Sequence, residues 1–115
     1  MELVALLSTG EGTWAQVAGL IKQGEWDKII LIGSGFAKKF QTDKPCEFVE
    51  ITTSRISDLK EELKNKLQGK ISGTEVALSI ASGDGKEHMA LISALLSIPV
   101  GVRFTALTKD GIIMF

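Results

Sequence analysis

The twelve residues Glu75-Val76-Ala77-Leu78-Ser79-Ile80-Ala81-Ser82-Gly83-Asp84-Gly85-Lys86 decide how this chain folds. The first part of this stretch is mostly aliphatic and predicts a β-strand, whereas the second part is a glycine-rich turn. Asp84 and Glu87 have the spacing of a capping box, so a helix is predicted to open at Asp84. This helix runs to about Ser97 and ends before Pro99. A strand, a tight turn and a helix in this order form the unit of an α/β fold.

The same alternation of aliphatic runs and helical spacing extends over the rest of the chain. Five further strands are predicted at 3–7, 28–32, 46–53, 102–108 and 112–115. Helical positions between them are Trp14, Val17, Ala18 and Ile21; Phe36 and Phe40; and Ile56, Leu59, Leu63 and Leu67 after a cap at Ser54. Because parallel crossovers are right-handed, this order predicts one Rossmann-like three-layer α/β/α domain over residues 1–115. Its mostly parallel six-stranded sheet is expected in the order 3-2-1-4-5-6, with an antiparallel hairpin at the C-terminal edge.

Local patterns also predict which side chains are buried. Met89 and Leu96 belong to a helix that is apolar nearly all round, so this helix is expected to be well buried. Trp14 is expected in the core, whereas the charged residues at 60–64 are expected to form a solvated helix face. Gly111 is predicted to take a positive φ in the turn of the last hairpin.

Composition and charge exclude several functional classes. Thirteen basic and fourteen acidic residues give a formal charge of -1, which argues against a general nucleic-acid coat or a polybasic membrane anchor. Cys46 is the single cysteine and His88 the single histidine, so an internal disulfide, a CxxC site and a histidine-rich metal site are excluded. The longest apolar stretch, 89–102, is shorter than the roughly 20 residues of a membrane span. We expect a cytoplasmic protein that uses neither a metal nor a cofactor.

Two polar turns are expected to meet at the carboxyl edge of the sheet, where strands 1 and 4 are neighbours. Ligands of open α/β sheets bind at this topological switch point. Glycines let a ligand approach the backbone, and free N–H groups at a helix N-terminus favour an anion such as phosphate. Lys86 adds a positive charge in the first turn of its helix. The candidate ligand-binding residues are Ser8, Thr9, Gly10, Gly12, Thr13, Ser34, Ser82, Gly83, Asp84, Gly85 and Lys86.

Two other interpretations of these turns stay open. Gly10, Gly12 and Ala15 fit the alanine-ended form of the dinucleotide fingerprint, which would make the chain an NAD(P)-binding domain. Ser34 stands at the end of strand 2, however, where an NAD site uses Asp or Glu to bind the ribose. In the third interpretation the turns hold no ligand, and the domain is a protein–protein interaction module.

The two turns together resemble a known family. The first segment is Leu7-Ser8-Thr9-Gly10, and the second is Ser79-Ile80-Ala81-Ser82-Gly83-Asp84-Gly85-Lys86-Glu87-His88-Met89-Ala90. They are similar to the CRISPR-associated Rossmann-fold (CARF) domains, which carry a Gly-Gly-Thr-Lys-x-Met pattern after strand 4. Here Asp84-Gly85 stands where that pattern has Gly-Thr.

The resemblance implies a nucleotide-sensing domain of antiviral defence that forms a homodimer and binds a cyclic oligoadenylate across the dimer axis. A symmetric ring of phosphates suits an interface that presents each turn twice. A free-standing member, expected without an effector domain, would capture the ring or cleave it as a metal-independent ring nuclease. The resemblance then places the hydroxyl of Ser8 or Thr9 and the ammonium of Lys86 at the scissile phosphate. His88 is the candidate general acid or base.

Overall fold

The computed structural model describes residues 1–115, which form a central sheet between two layers of helices. The strands are β1 (Glu2–Leu7), β2 (Ile29–Gly33), β3 (Glu47–Glu50), β4 (Glu75–Ser79), β5 (Gly101–Thr108) and β6 (Gly111–Met114). The helices are α1 (Trp14–Gln23), α2 (Ile56–Leu67) and α3 (Gly85–Ser97), with 3-10 helices at Glu11–Thr13 and Gly35–Lys39. None of these helices has the length and apolar character needed to cross a bilayer.

The sheet has the strand order β3-β2-β1-β4-β5-β6, which confirms the predicted Rossmann-like fold. All neighbouring strands are parallel except β5 and β6, which form the antiparallel hairpin at the edge. Gly111 has φ +109° in the turn of this hairpin, as predicted. The carboxyl ends of β1 and β4 therefore lie next to each other at the switch point.

Each face of the sheet carries its own hydrophobic core, because successive strand residues point to opposite sides. Val4 and Leu6 of β1 pack with α2 and α3 on one face. Leu3 and Ala5 pack with α1 on the other face. All six residues of β1 are buried, which explains why the apolar run in the sequence is continuous rather than alternating.

The segment after β2, which carries Phe36 and Phe40 at helical spacing, is short. Residues 35–39 form a single 3-10 helix. Phe36 and Phe40 pack against the ring of Trp14, with ring centroids 5.9 and 5.8 Å apart. These aromatic contacts anchor the segment to α1 and confirm that Trp14 belongs to the core.

Three predictions of local structure are wrong. Met89 and Leu96 of α3 are 61% and 57% exposed, because α3 packs through one face only and no further helix covers the other. Ile56 at the start of α2 is 40% exposed, although its helical spacing placed it on the inward face. The N-cap position of α2 is Arg55, and no side chain caps this helix, so Ser54 does not act as the cap.

The capping box at the start of α3 is confirmed. The backbone N–H of Glu87 donates to Oδ1 of Asp84 over 2.8 Å, and the backbone N–H of Asp84 donates to Oε1 of Glu87 over 3.0 Å. We expect Asp84→Ala to lower the free energy of unfolding by about 1 kcal/mol, since the helix loses its cap. Asp58→Ala is the control, because Asp58 lies in the first turn of α2 without a capping bond. Urea unfolding followed by circular dichroism measures both, and equal losses would contradict the assignment.

Candidate functional site

Three polar turns follow the carboxyl ends of β1, β3 and β4, and we name them after these strands. The β1 turn comprises residues 8–13, the β3 turn residues 51–55, and the β4 turn residues 80–84. The β1 and β4 turns lie at adjacent strands, with Ala5 opposite Ser79 in the register of the pair. The β1 and β4 turns therefore meet at the switch point.

Two serines join the β1 turn to the β4 turn. The backbone N–H of Ser8 donates to Oγ of Ser82 over 2.8 Å, and Oγ of Ser82 donates to Oγ of Ser8 over 3.0 Å. Ser82 is 1% exposed, whereas Ser8 is half-buried. A buried hydroxyl that both accepts and donates fixes the two turns relative to each other.

This arrangement leaves Ser8 with one hydrogen that it can donate. Its Oγ accepts from the backbone N–H of Gly10 over 3.1 Å as well as from Ser82. A hydroxyl has two acceptor lone pairs and one O–H donor. Because both lone pairs are engaged, the side chain of Ser8 offers a ligand only a donor, which suits an oxygen that accepts, such as one of a phosphate.

Backbone donors lie at the beginning of α3. Gly85 and Lys86 are the first residues of this helix, so their N–H groups have no acceptor within it. The N–H of Gly83 also makes no hydrogen bond within the protein. Since a helix N-terminus carries partial positive charge, these donors are suited to an anion.

The side chain of Lys86 reaches the β3 turn. Its Nζ donates to the backbone carbonyl of Ser54 over 2.6 Å. The two residues are brought together because α2 and α3 pack side by side on the same face of the sheet. The β3 turn is not among the candidate residues that the sequence indicates, although its polar run Thr52-Thr53-Ser54 is visible there.

Glu62 of α2 fastens the β3 turn. Its carboxylate accepts from the backbone N–H groups of Thr52 and Thr53 over 3.0 and 3.1 Å, from both threonine hydroxyls, and from Nζ of Lys66 over 2.9 Å. Its side chain is 10% exposed, so the prediction of a solvated face at 60–64 is wrong for this residue. Burial opposes ionisation, but the hydrogen bonds from Thr52 and Lys66 outweigh it and lower the pKa of Glu62 to about 2.

His88 supports the β4 turn. Its Nε2 lies 2.9 Å from the carbonyl oxygen of Ser82. Because a carbonyl oxygen only accepts, Nε2 must carry the proton in this contact. Its role as a general acid or base stays a prediction, and only Nδ1 is free for it.

The remaining candidate residues border the switch point without contacting Ser82. Thr9 and Gly12 are exposed. Oγ1 of Thr13 donates to the carbonyl of Gly10 over 3.2 Å within the β1 turn. Ser34 follows β2, the neighbour of β1, and its side chain caps nothing in the 3-10 helix that it precedes.

Residues of the β1 turn and of the start of α3 are exposed in the single chain, among them Thr9, Gly10, Asp84 and Lys86. A groove of about 930 Å³ lies on the α1 face instead, where Leu31, Phe40 and Phe48 form part of its wall. Neither Ser8 nor Lys86 lines this groove.

The fold and the polar turns define an α/β domain of the Rossmann type with a candidate anion site at its switch point. No protein-family model matches the chain, and no curated protein matches it in sequence. Among solved structures, it is similar to the UDP-GlcNAc 2-epimerase from Methanocaldococcus jannaschii, with a TM-score of 0.54 and 14% sequence identity. The similarity covers 90% of this chain and 31% of that chain. A likeness at this level of identity supports the fold alone.

Proposed function

We propose that this domain senses nucleotides by binding a cyclic oligoadenylate at the carboxyl edge of β1 and β4. The observation that carries the proposal is the Ser8–Ser82 pair, which joins two turns and leaves the hydroxyl of Ser8 as a pure donor. The unpaired N–H groups of Gly83 and Gly85 and the charge of Lys86 add to it. Phosphodiester oxygens only accept, so they match these donors. Because both turns resemble those of CARF domains, which bind cyclic oligoadenylates, we propose a cyclic oligoadenylate as the anion.

We propose further that two copies of the chain share one ring. In one chain the residues Thr9, Gly10, Asp84 and Lys86 at this edge are exposed, so a second copy could approach them. A ring with two-fold symmetry presents equivalent phosphates to equivalent turns, which suits an isologous dimer. Sedimentation with and without the ring measures the assembly, and a liganded monomer would contradict the shared site.

The same donors favour cleavage of the ring as a second step. The 2′-hydroxyl of a ribose would give up its proton as its oxygen bonds to the adjacent phosphorus, while the bond from phosphorus to the 5′-oxygen breaks. Ser8 and Lys86 would stabilise the charge on the other phosphate oxygens, and Nδ1 of His88 is the candidate group for moving the proton to the 5′-oxygen. Chromatography of the ring after incubation with the protein detects linear products.

Lys86→Ala is expected to weaken ring binding about ten-fold. The reason is the loss of a charge-assisted contact to phosphate, whose net contribution is about 1.5–3 kcal/mol, and the lower end of this range corresponds to about ten-fold in affinity. Lys64→Ala is the matched control, because Lys64 lies in the last turn of α2, outside the three polar turns. Calorimetric titration with cyclic tetra-adenylate and cyclic hexa-adenylate measures both variants. Absence of heat with either ring for the unaltered protein would contradict the proposal.

The two alternatives have their own tests. An NAD(P)-binding domain would raise the fluorescence of the reduced cofactor, although Ser34 stands where its ribose needs an acidic partner. If the domain is an interaction module without a ligand, Ser8→Ala and Lys86→Ala should leave every measured property of the protein unchanged, since neither side chain would then contact a ligand.

A further inference from the structure

We propose that Glu62 is a positioning residue for Lys86 and acts on it through the β3 turn. The role rests on the proposed function, because it matters to a ligand only if Lys86 contacts one. Neither Glu62 nor the β3 turn lies next to Ser8 or Ser82 in the sequence, so the coupling arises from the packing of α2 against α3.

The first step is the fixation of the β3 turn by Glu62. Both carboxylate oxygens are used, since Oε1 accepts from Thr53 and Oε2 from Lys66 while the N–H of Thr52 reaches both. Nζ of Lys66 also donates to the backbone carbonyl of Glu50, the last residue of β3, over 2.8 Å. The turn is therefore held at Glu50, where β3 ends, and at Thr52 and Thr53 within the turn.

The second step is the fixation of Lys86 by the β3 turn. Ser54 directly follows the two threonines, and its carbonyl accepts from Nζ of Lys86 over 2.6 Å. A lysine side chain on an exposed helix turn is otherwise free to sample many rotamers. An ammonium group has three donors, so one can hold the carbonyl while two remain for a phosphate. This hydrogen bond thus holds the ammonium group of Lys86 at the β3 turn before any ligand arrives. A side chain that is already ordered lowers the entropic cost of binding.

A second buried carboxylate that binds the backbone N–H groups of a turn provides the control. Glu2 is 5% exposed and accepts from the backbone N–H groups of Ser72 and Gly73 over 3.0 and 2.8 Å. It fastens the turn that precedes β4, at the amino edge of the sheet, away from Lys86. Glu2→Gln therefore weakens a comparable set of hydrogen bonds to a buried carboxylate, but it leaves the contacts among Glu62, the β3 turn and Lys86 unchanged.

The binding experiment uses calorimetry with cyclic tetra-adenylate and cyclic hexa-adenylate at a temperature well below unfolding. We expect Glu62→Gln to weaken binding about five-fold and Glu2→Gln to leave it unchanged. In a double-mutant cycle, Glu62→Gln should cost no further affinity when Lys86→Ala is already present. An unchanged affinity in Glu62→Gln, or the same five-fold loss in the Lys86→Ala background, would overturn the inference.

A second measurement needs no ligand. Acetylation of each lysine by an activated ester, followed by mass spectrometry, reports how accessible and reactive its amine is, with Lys64 as the internal reference. Lys86 is expected to react several-fold faster in Glu62→Gln and at an unchanged rate in Glu2→Gln. Thr53→Val removes the hydrogen bond from the Thr53 hydroxyl to Glu62 at nearly constant side-chain shape, and it is also expected to raise the acetylation rate of Lys86. Unchanged reactivity of Lys86 in both variants overturns the inference, whereas altered reactivity without any ring binding would overturn only the proposed function.

Discussion

Glu62→Gln is expected to lower the free energy of unfolding at neutral pH by about 3 kcal/mol. The pKa of Glu62 is lowered from 4.5 to about 2 in the folded protein, and a lowering of this size corresponds to about 3 kcal/mol of preference for the ionised form. Its side chain is 10% exposed, so solvent screens this carboxylate little. The amide of Gln would also turn a donor toward the N–H groups of Thr52 and Thr53.

The effect depends on pH in a direction that can be derived. A lowered pKa in the folded state stabilises the protein above pH 4.5, and this stabilisation is lost as the pH falls from about 4.5 toward about 2. The unaltered protein and Glu62→Gln should therefore converge in stability over this interval. Urea unfolding at a series of pH values measures the difference. Glu61→Gln is the control, because the neighbouring carboxylate of Glu61 is exposed, and a pH dependence as large in that variant would contradict the assignment.

Gly83→Ala is expected to destabilise the protein by about 2–3 kcal/mol. Gly83 has φ +103°, a conformation that residues with a Cβ adopt at a cost of order 1–3 kcal/mol. A Cβ at this position would also lie 2.3 Å from Cδ2 of Leu6 and 3.1 Å from Nε2 of His88. Leu6 is fully buried, so relief of the contact would disturb the core beneath the switch point.

Gly85→Ala is the matched control for this prediction. Gly85 lies two residues further on, and a Cβ there would have no neighbour within 4 Å. As the first residue of α3 it has a helical environment that accepts alanine, so its stability should change by less than about 0.5 kcal/mol. Urea unfolding of the two variants side by side measures the contrast. Equal stability of the two variants would contradict the close packing of the β4 turn on Leu6.

Much of the fold could be predicted because its signals are local. The buried run of β1 and the capping box at Asp84 and Glu87 each act over a few residues, and the handedness of crossovers then limits the strand order. The exposure of Met89 and Leu96 could not be predicted in this way. Apolar composition alone does not tell how many faces of a helix meet a neighbour.

The candidate site likewise contains residues that local sequence signals reveal and residues that they do not. Ser8 and Ser82 were found from the sequence, because each follows an aliphatic strand and both strands end at one edge. Glu62 was assigned to a solvated face, since a charged residue among Lys and Glu on a helix is usually exposed. Its threonine partners lie nine and ten residues earlier, and no local pattern links them to it.

Short-range periodicity and turn chemistry were thus enough to predict the elements, their order and the meeting of the β1 and β4 turns. Only the tertiary structure decided which polar groups use one another there, above all the contacts of Lys86 with Ser54 and of Glu62 with Thr52. The physical reason is the range of the forces involved. Helix and strand preferences come from neighbours along the chain, whereas a hydrogen bond between distant residues forms only after folding has brought its two atoms within reach. For Lys86 and Ser54, the packing of α2 against α3 does this.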